Sequence, residues 1–270
     1  MVVFPNCKIN LGLHIRRKRA DGYHDLETIF YPVPQKDILE ITAAPTGQFH
    51  FRQEGLVIDG TSESNLCVKA YRLLKQDFPD LPAIEMFLYK TIPTGAGLGG
   101  GSADGAFALR LLNDRFKLGI SKEQLVQYAL QLGSDCPFFV WNTPVLAESR
   151  GEKMRTIELS LSGLCLVVVN PGIHVSTGNA FQSLTLQDVD SHFEQIANEP
   201  IENWKNILYN DFEPVIFPRF PAIEKLKTQL YENGALYASM SGSGSSCFGI
   251  FRDVPELDLP TEYFQTWFRL

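Results

Sequence analysis

A glycine-rich stretch is the part of this sequence best suited to hold a phosphate group. It runs from Pro93 to Asp104 and reads Pro-Thr-Gly-Ala-Gly-Leu-Gly-Gly-Gly-Ser-Ala-Asp. Glycine lets the backbone approach a ligand closely and adopt positive φ, and the free N–H groups at the start of a helix bind anions. The stretch therefore predicts a phosphate-binding loop.

The elements that must position this loop are a strand before it and a helix after it. Apolar residues alternate over Ile84–Tyr89, which is typical of a strand, and residues 106–112 are apolar except for Arg110. Ser102 is a good N-cap for the helix, and Asp104 would favour the helix dipole from the first turn. A flexible linker is the alternative, but the patterned elements on both sides disfavour it.

Two well-known phosphate loops do not fit this stretch. The dinucleotide pattern Gly-x-Gly-x-x-Gly occurs at residues 95–100, but residues 91–94 separate it from the strand. The segment after the helix is also typical of another helix rather than of a second parallel strand. A Walker A loop needs a lysine before its serine, and here Gly101 precedes Ser102.

The first strand carries polar residues that could act on a ligand. Cys7–Ile15 alternates strictly, with Lys8, Asn10, Gly12 and His14 on one face. Taken alone, the segment favours an exposed face of an antiparallel sheet. The functional alternative is that the polar face lines a site.

An aromatic pair follows a predicted hairpin turn. Asp21-Gly22 is a turn signal, and Tyr23 and His24 come directly after it. The pair could stack on a planar ring and form hydrogen bonds with it, or it could be a capping aromatic beside an exposed histidine. The basic run Arg16–Arg19 just before the turn is interpreted as a solvated hairpin rather than a nucleic-acid patch.

Asp135 is the third candidate for chemistry. It lies between a helix that is predicted to start at the capping box Ser121–Gln124 and to stop at Gly133, and an apolar run predicted to be a strand. Pro137 is expected to hold Cys136 extended, which would place Asp135 on a constrained turn. An Asx-turn carboxylate without a ligand is the alternative that composition alone favours.

The second half of the chain predicts a further domain. A strand is expected over Leu164–Asn170 and a helix over residues 221–234, and a second Gly/Ser loop, residues 241–246, separates two strand-like segments. The boundary is expected near residue 155, which gives domains 1–155 and 156–270.

Composition excludes several classes of protein. The chain has 270 residues, 44% of them hydrophobic and 20% charged, which is typical of a globular protein with a substantial core. Its net charge of −7 disfavours a nucleic-acid partner. The five cysteines are scattered without a CxxC pair, which indicates a reducing, cytoplasmic setting and no zinc site. No signal peptide and no membrane partner are expected.

Three motifs together resemble the GHMP kinases, the family of galacto-, homoserine, mevalonate and phosphomevalonate kinases. They are the lysine strand Pro5–Leu11, the loop Pro93–Ala103 and the segment Ser239–Phe251. The segments Ala20–Leu26 and Gly133–Phe139 resemble those of members whose small-molecule acceptor carries a cytidine diphosphate group. The resemblance implies an α+β, two-domain fold, with an N-terminal ribosomal-protein-like α/β domain, a C-terminal ferredoxin-like α/β domain and the active site in the cleft between them.

The resemblance also implies roles for individual residues. Lys8 and Asp135 would be catalytic. ATP would have its adenine near Asn65, which a helix cap alone would also explain, and its phosphates would be bound by Pro93, Thr94, Gly95, Ala96, Gly97, Leu98, Gly99, Gly100, Gly101, Ser102 and Ala103. The acceptor would be bound by Asn10, Tyr23, His24, Thr177 and Phe181. The C-terminal loop would close over the phosphates at Gly242 and Ser243. Mg²⁺ is expected as a cofactor, but the sequence leaves its ligands unknown.

Two rival functions stay open at this point. One is a GHMP kinase for a different acceptor, against which the Asp21–His24 segment argues. The other is a non-enzymatic nucleotide sensor on the same fold, which has no need of a hydroxyl-activating pair such as Lys8 and Asp135. A monomer or weak homodimer is expected.

Overall fold

The structure is a computed structural model that describes residues 1–58, 60–184 and 193–270. Its strands are β1 Val2–Val3, β2 Asn6–Lys18, β3 His24–Lys36, β4 Ile38–Ala43, β5 His50–Gly55, β6 Ile84–Lys90, β7 Val145–Ser149, β8 Lys153–Thr156, β9 Cys165–Asn170, β10 Tyr237–Met240, β11 Cys247–Phe251 and β12 Phe264–Arg269. Its α-helices are α1 Leu66–Asp77, α2 Gly100–Phe116, α3 Lys122–Leu132, α4 Cys136–Trp141, α5 Thr177–Gln182, α6 Glu213–Ile216 and α7 Pro221–Glu232. Short 3₁₀ helices cover Ser62–Ser64, Ile196–Asn198 and Ile201–Asn206.

The chain folds into two compact units. Unit 1 comprises residues 1–7, 33–94 and 99–142, and unit 2 comprises residues 8–32, 95–98 and 143–270. The predicted boundary near residue 155 concerns the order of the family domains along the sequence, and it stays a prediction.

Unit 1 combines one sheet with four helices. The sheet has the order β1-β4-β6-β5, in which β5 alone pairs in parallel. Ile84, Met86 and Leu88 of β6 are buried, whereas Glu85 and Tyr89 are exposed, so the predicted alternation is confirmed. Helix α2 packs against α1, α3 and α4.

Helix termini in unit 1 follow the local sequence. Ser121 and Gln124 form the predicted capping box at the start of α3, and the helix ends at Gly133 as expected. The strand expected after Asp135 is wrong, because residues 136–141 form α4. A continuous apolar run suits a buried strand and a buried helix equally, and Pro137 occupies the helix start, where its missing N–H costs nothing.

Unit 2 holds two antiparallel sheets. One has the order β2-β3-β7-β8 and the other β10-β11-β9-β12. The second sheet packs on α7 through a core that includes Val167, Val169, Ile223, Leu226 and Met240. The predicted strand at β9, the helix at α7 and the two strands that flank the Gly/Ser loop are confirmed.

Candidate active site

The glycine loop enters α2 through left-handed backbone. Gly95, Gly97 and Gly99 have φ of 66°, 78° and 69°, values that other L-residues rarely adopt. Gly99 is the N-cap and carries no side chain, so its position supplies no capping oxygen to the first-turn N–H groups, which suit an anion. Ser102 is the third helical residue, so its predicted role as the N-cap is wrong. The helix begins before Ser102, because the three successive glycines 99–101 let the chain enter it there.

In unit 2 the loop lies directly against the C-terminal Gly/Ser loop. A Cβ on Gly97 would lie only 1.9 Å from the carbonyl oxygen of Ser241, so no other residue fits there. The Ser241 hydroxyl donates to the Gly97 carbonyl at 2.8 Å, and the Ser246 N–H donates to the Ala96 carbonyl at 3.2 Å. Gly242, with φ of 57°, is part of the same contact. The glycine loop and the Gly/Ser loop, both predicted to bind the ATP phosphates, are therefore in direct contact.

Two buried asparagines hold the Gly/Ser loop in place. Asn210 donates through Nδ2 to the carbonyls of Met240 and Gly242, both at 2.8 Å. Asn170 donates through Nδ2 to the hydroxyls of Ser245 and Ser246, both at 3.0 Å. Sequence reasoning missed both side chains, because each lies far along the chain from the loop that it supports. Asn170 at the end of an apolar strand was the one local signal.

Lys8 and Asn10 lie on a buried face of β2, not on the exposed face that the segment alone favours. Lys8 is 3% exposed, and its Nζ donates to Asn10 Oδ1 at 2.6 Å and lies 4.8 Å from the centre of the Phe30 ring. The Lys8 N–H donates to the carbonyl of Leu98 in the glycine loop at 2.9 Å. Buried charged groups are costly unless they are paired, and they are concentrated at functional sites.

Asp135 is the residue that immediately precedes α4 in unit 1. It is partly buried, with φ of −84° and ψ of −16°, and its carboxylate does not cap the helix. The Cys136 N–H donates to the Gly133 carbonyl at 3.2 Å instead, which closes the turn between α3 and α4.

A cavity of about 500 Å³ in unit 1 brings together three of the predicted ATP-binding residues. It is lined by Phe51, Gln53, Ile58, Gly60, Thr61, Ser62, Ser64, Asn65, Leu66, Thr94, Gly101 and Asp104. Asn65 caps α1 by accepting the Cys67 N–H at 2.9 Å, as the cap alternative predicts, and its Nδ2 donates to Gln53 at 3.4 Å. The cavity has the size and mixed lining of a small-molecule site.

Three buried ionisable side chains lie next to the start of α2, and sequence reasoning missed their association. Lys90 Nζ contacts Asp37 and donates to Asp104 Oδ2 at 2.7 Å. Asp37 Oδ1 accepts the N–H groups of Thr91 and Ile92, at 2.6 and 3.0 Å, just before the glycine loop. The prediction that Asp104 favours the helix dipole from the first turn of α2 is wrong, because Asp104 lies beyond that turn and is a buried partner of Lys90.

The charges of this triad perturb one another. Burial raises the pKa of Asp104 to about 7, although the Lys90 ammonium opposes that shift. Burial alone would lower the pKa of Lys90, but the charges of Asp104 and Asp37 outweigh it, so the pKa is raised. Lys90 is therefore a permanent cation, and Asp104 titrates near neutrality.

Aromatic side chains of the predicted acceptor site meet in unit 2. His24 stacks on Phe181 with ring centres 4.7 Å apart and an interplanar angle of 18°. Tyr23, next to His24, is half-exposed. Burial and the charge of Lys18 lower the pKa of His24, which favours the neutral ring. The Thr177 hydroxyl, four residues before Phe181, bonds the Ser243 hydroxyl at 2.9 Å.

The basic run of the hairpin is matched by carboxylates. Arg17 contacts Asp25 at 2.5 Å, and Arg19 contacts both Asp21 and Asp25, at 3.0 and 2.9 Å. These pairs agree with the interpretation as a solvated hairpin.

The chain belongs to the GHMP kinases. The family models described as GHMP kinases N terminal domain and GHMP kinases C terminal match residues 65–143 and 193–258, which together exceed half of the chain. The predicted α+β fold of this family and the kinase class are thereby confirmed.

Curated relatives narrow the comparison to one kind of kinase. A protein of Bacteroides fragilis is 50% identical over 98% of this chain and 99% of its own length, and it is called 4-diphosphocytidyl-2-C-methyl-D-erythritol kinase. A Porphyromonas gingivalis protein with the same name is 46% identical over 96% of this chain and 94% of its own.

Solved structures agree with the family. The crystal structure of a 4-(cytidine 5'-diphospho)-2C-methyl-D-erythritol kinase matches with a TM-score of 0.80 and 29% identity, over 93% of this chain and 90% of that one. A homoserine kinase from Cytophaga hutchinsonii, at 17% identity over 91% of this chain and 85% of that one, has a TM-score of 0.67 and shares the fold.

None of the helices in residues 1–58, 60–184 and 193–270 combines the length and the apolar character needed to cross a bilayer. The same residues contain no group of three or more His, Cys, Asp or Glu side chains that could hold a metal ion.

Proposed function

We propose that this chain transfers the γ-phosphoryl group of ATP to the 2-hydroxyl of 4-diphosphocytidyl-2-C-methyl-D-erythritol. The names of relatives at 46–50% identity over nearly the whole chain support this acceptor. The observation that carries it is the aromatic group of Tyr23, His24 and Phe181, since an acceptor such as mevalonate or homoserine has no flat ring to stack. The reaction would place the chain in the non-mevalonate route to isoprenoid precursors, in the cytoplasm.

The donor site is proposed from the glycine loop and the cavity of unit 1. Main-chain N–H groups at the start of α2 would bind the triphosphate, and the cavity beside Asn65 and Leu66 would accept the adenine. Gly242 and Ser243 would close over the phosphates, since their loop already contacts Gly97.

Phosphoryl transfer depends mainly on positioning and charge stabilisation. Lys8 would stabilise charge on the transferring oxygens, and Asn10, which holds its ammonium, would contact the acceptor hydroxyl groups together with Thr177. Asp135 would accept the proton of the attacking hydroxyl or orient that hydroxyl.

Mg²⁺ bound together with the triphosphate would supply positive charge that offsets the charge of the phosphates. Mg²⁺ in such sites is held by one or two carboxylates and the phosphates rather than by a protein cage.

An assay of ADP release with a panel of acceptors tests the proposal. Purified protein receives ATP and Mg²⁺ with the cytidyl substrate, mevalonate, homoserine or no acceptor. We expect turnover with the cytidyl substrate alone, from a monomer or weak homodimer that needs no nucleic acid. Turnover with mevalonate or homoserine would assign a different GHMP kinase, and ATP binding without turnover on any acceptor would indicate a nucleotide sensor.

A further inference from the structure

Arg150 lies against the ring of Tyr23, one of the aromatic residues proposed to bind the cytidyl acceptor. The guanidinium carbon is 4.2 Å from the centre of the ring. Tyr23 is 52% exposed, so burial does not fix the orientation of its side chain. The Arg150 Nε–H is buried and has no hydrogen-bond acceptor among the described residues. The ring contact, rather than a hydrogen bond at Nε, therefore accounts for where this side chain lies.

Backbone contacts around Ser149 and Arg150 place the Arg150 side chain beside Tyr23. Ser149, the last residue of β7, pairs with Leu26 of β3 and has a left-handed φ of 63°. Its hydroxyl accepts a hydrogen bond from Arg19 Nη1 at 2.8 Å, and the Arg150 N–H donates to Glu152 at 2.7 Å. The β7–β8 turn is thus tied to the β2–β3 hairpin on both sides of the aromatic pair.

The backbone of Tyr23 is fixed as well. Its N–H donates to Asp21 Oδ1 at 3.1 Å. The hydrogen bond from Arg19 and, to a smaller extent, the charge of Arg150 lower the pKa of Asp21, so this acceptor stays ionised near neutral pH. The remaining freedom of Tyr23 is the rotation of its side chain, and that is the freedom which a guanidinium on one ring face restricts.

We propose that Arg150 is a positioning residue of the acceptor site: it covers one face of Tyr23 and presents the other face to the cytosine. This inference rests on the proposed function and deepens it. A cation over an aromatic face is attractive, and a ring already held in place loses less freedom when a ligand stacks on it. Arg150 therefore favours a cytidyl acceptor without touching the reacting atoms.

A double-mutant cycle tests this role through the KM values of the two substrates. Arg150→Gln should raise the KM for the cytidyl acceptor about three- to tenfold, from the lost cation–ring contact and the freed ring. The KM for ATP and kcat should stay within about twofold, which a general loss of folding would not allow. In a Tyr23→Ala background the same change should have almost no further effect on the acceptor KM.

The matched control is Arg155→Gln, because Arg155 lies on the next strand of the same hairpin and pairs with Glu194 away from Tyr23. Arg150→Lys keeps the charge but loses the planar group, so it should recover only part of the affinity, and it replaces the Gln variant in the cycle if that variant does not fold. Calorimetric titration with CDP should show the same pattern of losses without turnover.

An Arg150 effect of equal size with and without Tyr23 would overturn the inference, as would an unchanged acceptor KM. A wild-type protein that turns over only another acceptor would overturn the proposed function instead, and the CDP titration would still decide whether Arg150 acts through Tyr23.

Discussion

The glycine loop and the Gly/Ser loop, both proposed to bind the nucleotide phosphates, are held by different chemistry. In unit 1 the backbone before the glycine loop is fixed by a buried ionic triad, Asp37, Lys90 and Asp104, whose side chains are at most 2% exposed. In unit 2 the Gly/Ser loop is fixed by two neutral amides, Asn170 and Asn210. We call Asp37, Lys90 and Asp104 the ionic frame, and Asn170 and Asn210 the neutral frame. The ionic frame depends on charge balance, whereas the neutral frame depends on hydrogen-bond geometry.

This difference has consequences for stability. Removing one member of a buried ionic set leaves uncompensated charge, and such a set responds to pH. Removing a neutral amide leaves unsatisfied carbonyls or hydroxyls. This lowers the free energy of unfolding by less than an uncompensated buried charge does, and the loss does not depend on pH between about 5 and 8. Substitutions in the ionic frame should therefore lower the free energy of unfolding more than substitutions in the neutral frame, and only the ionic frame should respond to pH.

The largest effect is expected outside both frames, at Asp135. Asp135→Asn should lower kcat by about 10²–10⁴-fold, since it removes a positioned carboxylate, while ATP still binds. Steady-state kinetics and a nucleotide titration measure the two quantities. Asp80→Asn, a change at an exposed aspartate of unit 1, is the control. Near-normal turnover in Asp135→Asn would refute the assigned role.

Within the ionic frame, Lys90→Met should cost the most stability. It leaves the buried carboxylates of Asp37 and Asp104 without their cation, so the free energy of unfolding should fall by about 3–5 kcal/mol. Urea denaturation measures the change. Lys36→Met, at an exposed lysine at the end of β3, should shift the free energy by less than about 0.5 kcal/mol. Similar small shifts in both variants would show that the triad does not hold this region.

In the neutral frame, Asn210→Ala should have a smaller effect. It removes two donated bonds and the acceptor of the Phe212 N–H, and the loss should be about 1–3 kcal/mol at any pH between about 5 and 8. Asn233→Ala, which changes an exposed amide at the end of α7, is the matched comparison. A cost equal to that of Lys90→Met would remove the distinction between the frames.

Local patterns predicted much of the fold and of the site. The alternation of β6, the glycines before α2 and the Gly/Ser segment between β10 and β11 identified the two loops, because each depends on residues close in sequence. Resemblance to the family added Lys8 and Asn10, whose segment alone favoured an exposed face.

The partners that hold these loops could not be predicted in the same way. Asp37 and Lys90 are 53 residues apart, and their pairing depends on how the strands assemble. One signal was present: Lys90 continues the buried face of Ile84, Met86 and Leu88, and a charge on an apolar face requires a buried partner. No comparable signal marked Asn210 or Arg150.

The smallest expected effect is the pH response of the ionic frame. Burial raises the pKa of Asp104 from the ordinary 3.8 to about 7, so the folded protein binds this proton more tightly than the unfolded chain does. The stability that the proton contributes is therefore fully present below about pH 4, declines as the pH rises towards about 7, and is lost above it.

Asp104→Asn removes this titration and leaves Lys90 paired with Asp37 alone. The free energy of unfolding of the wild type, measured with urea, should therefore fall relative to that of Asp104→Asn as the pH rises from about 5 to about 8. Asp114→Asn, at an exposed aspartate of the same helix, should keep the wild-type slope. Parallel slopes in the wild type and Asp104→Asn would mean that Asp104 is ionised throughout, and the two frames would then differ in the size of their contribution but not in its dependence on pH.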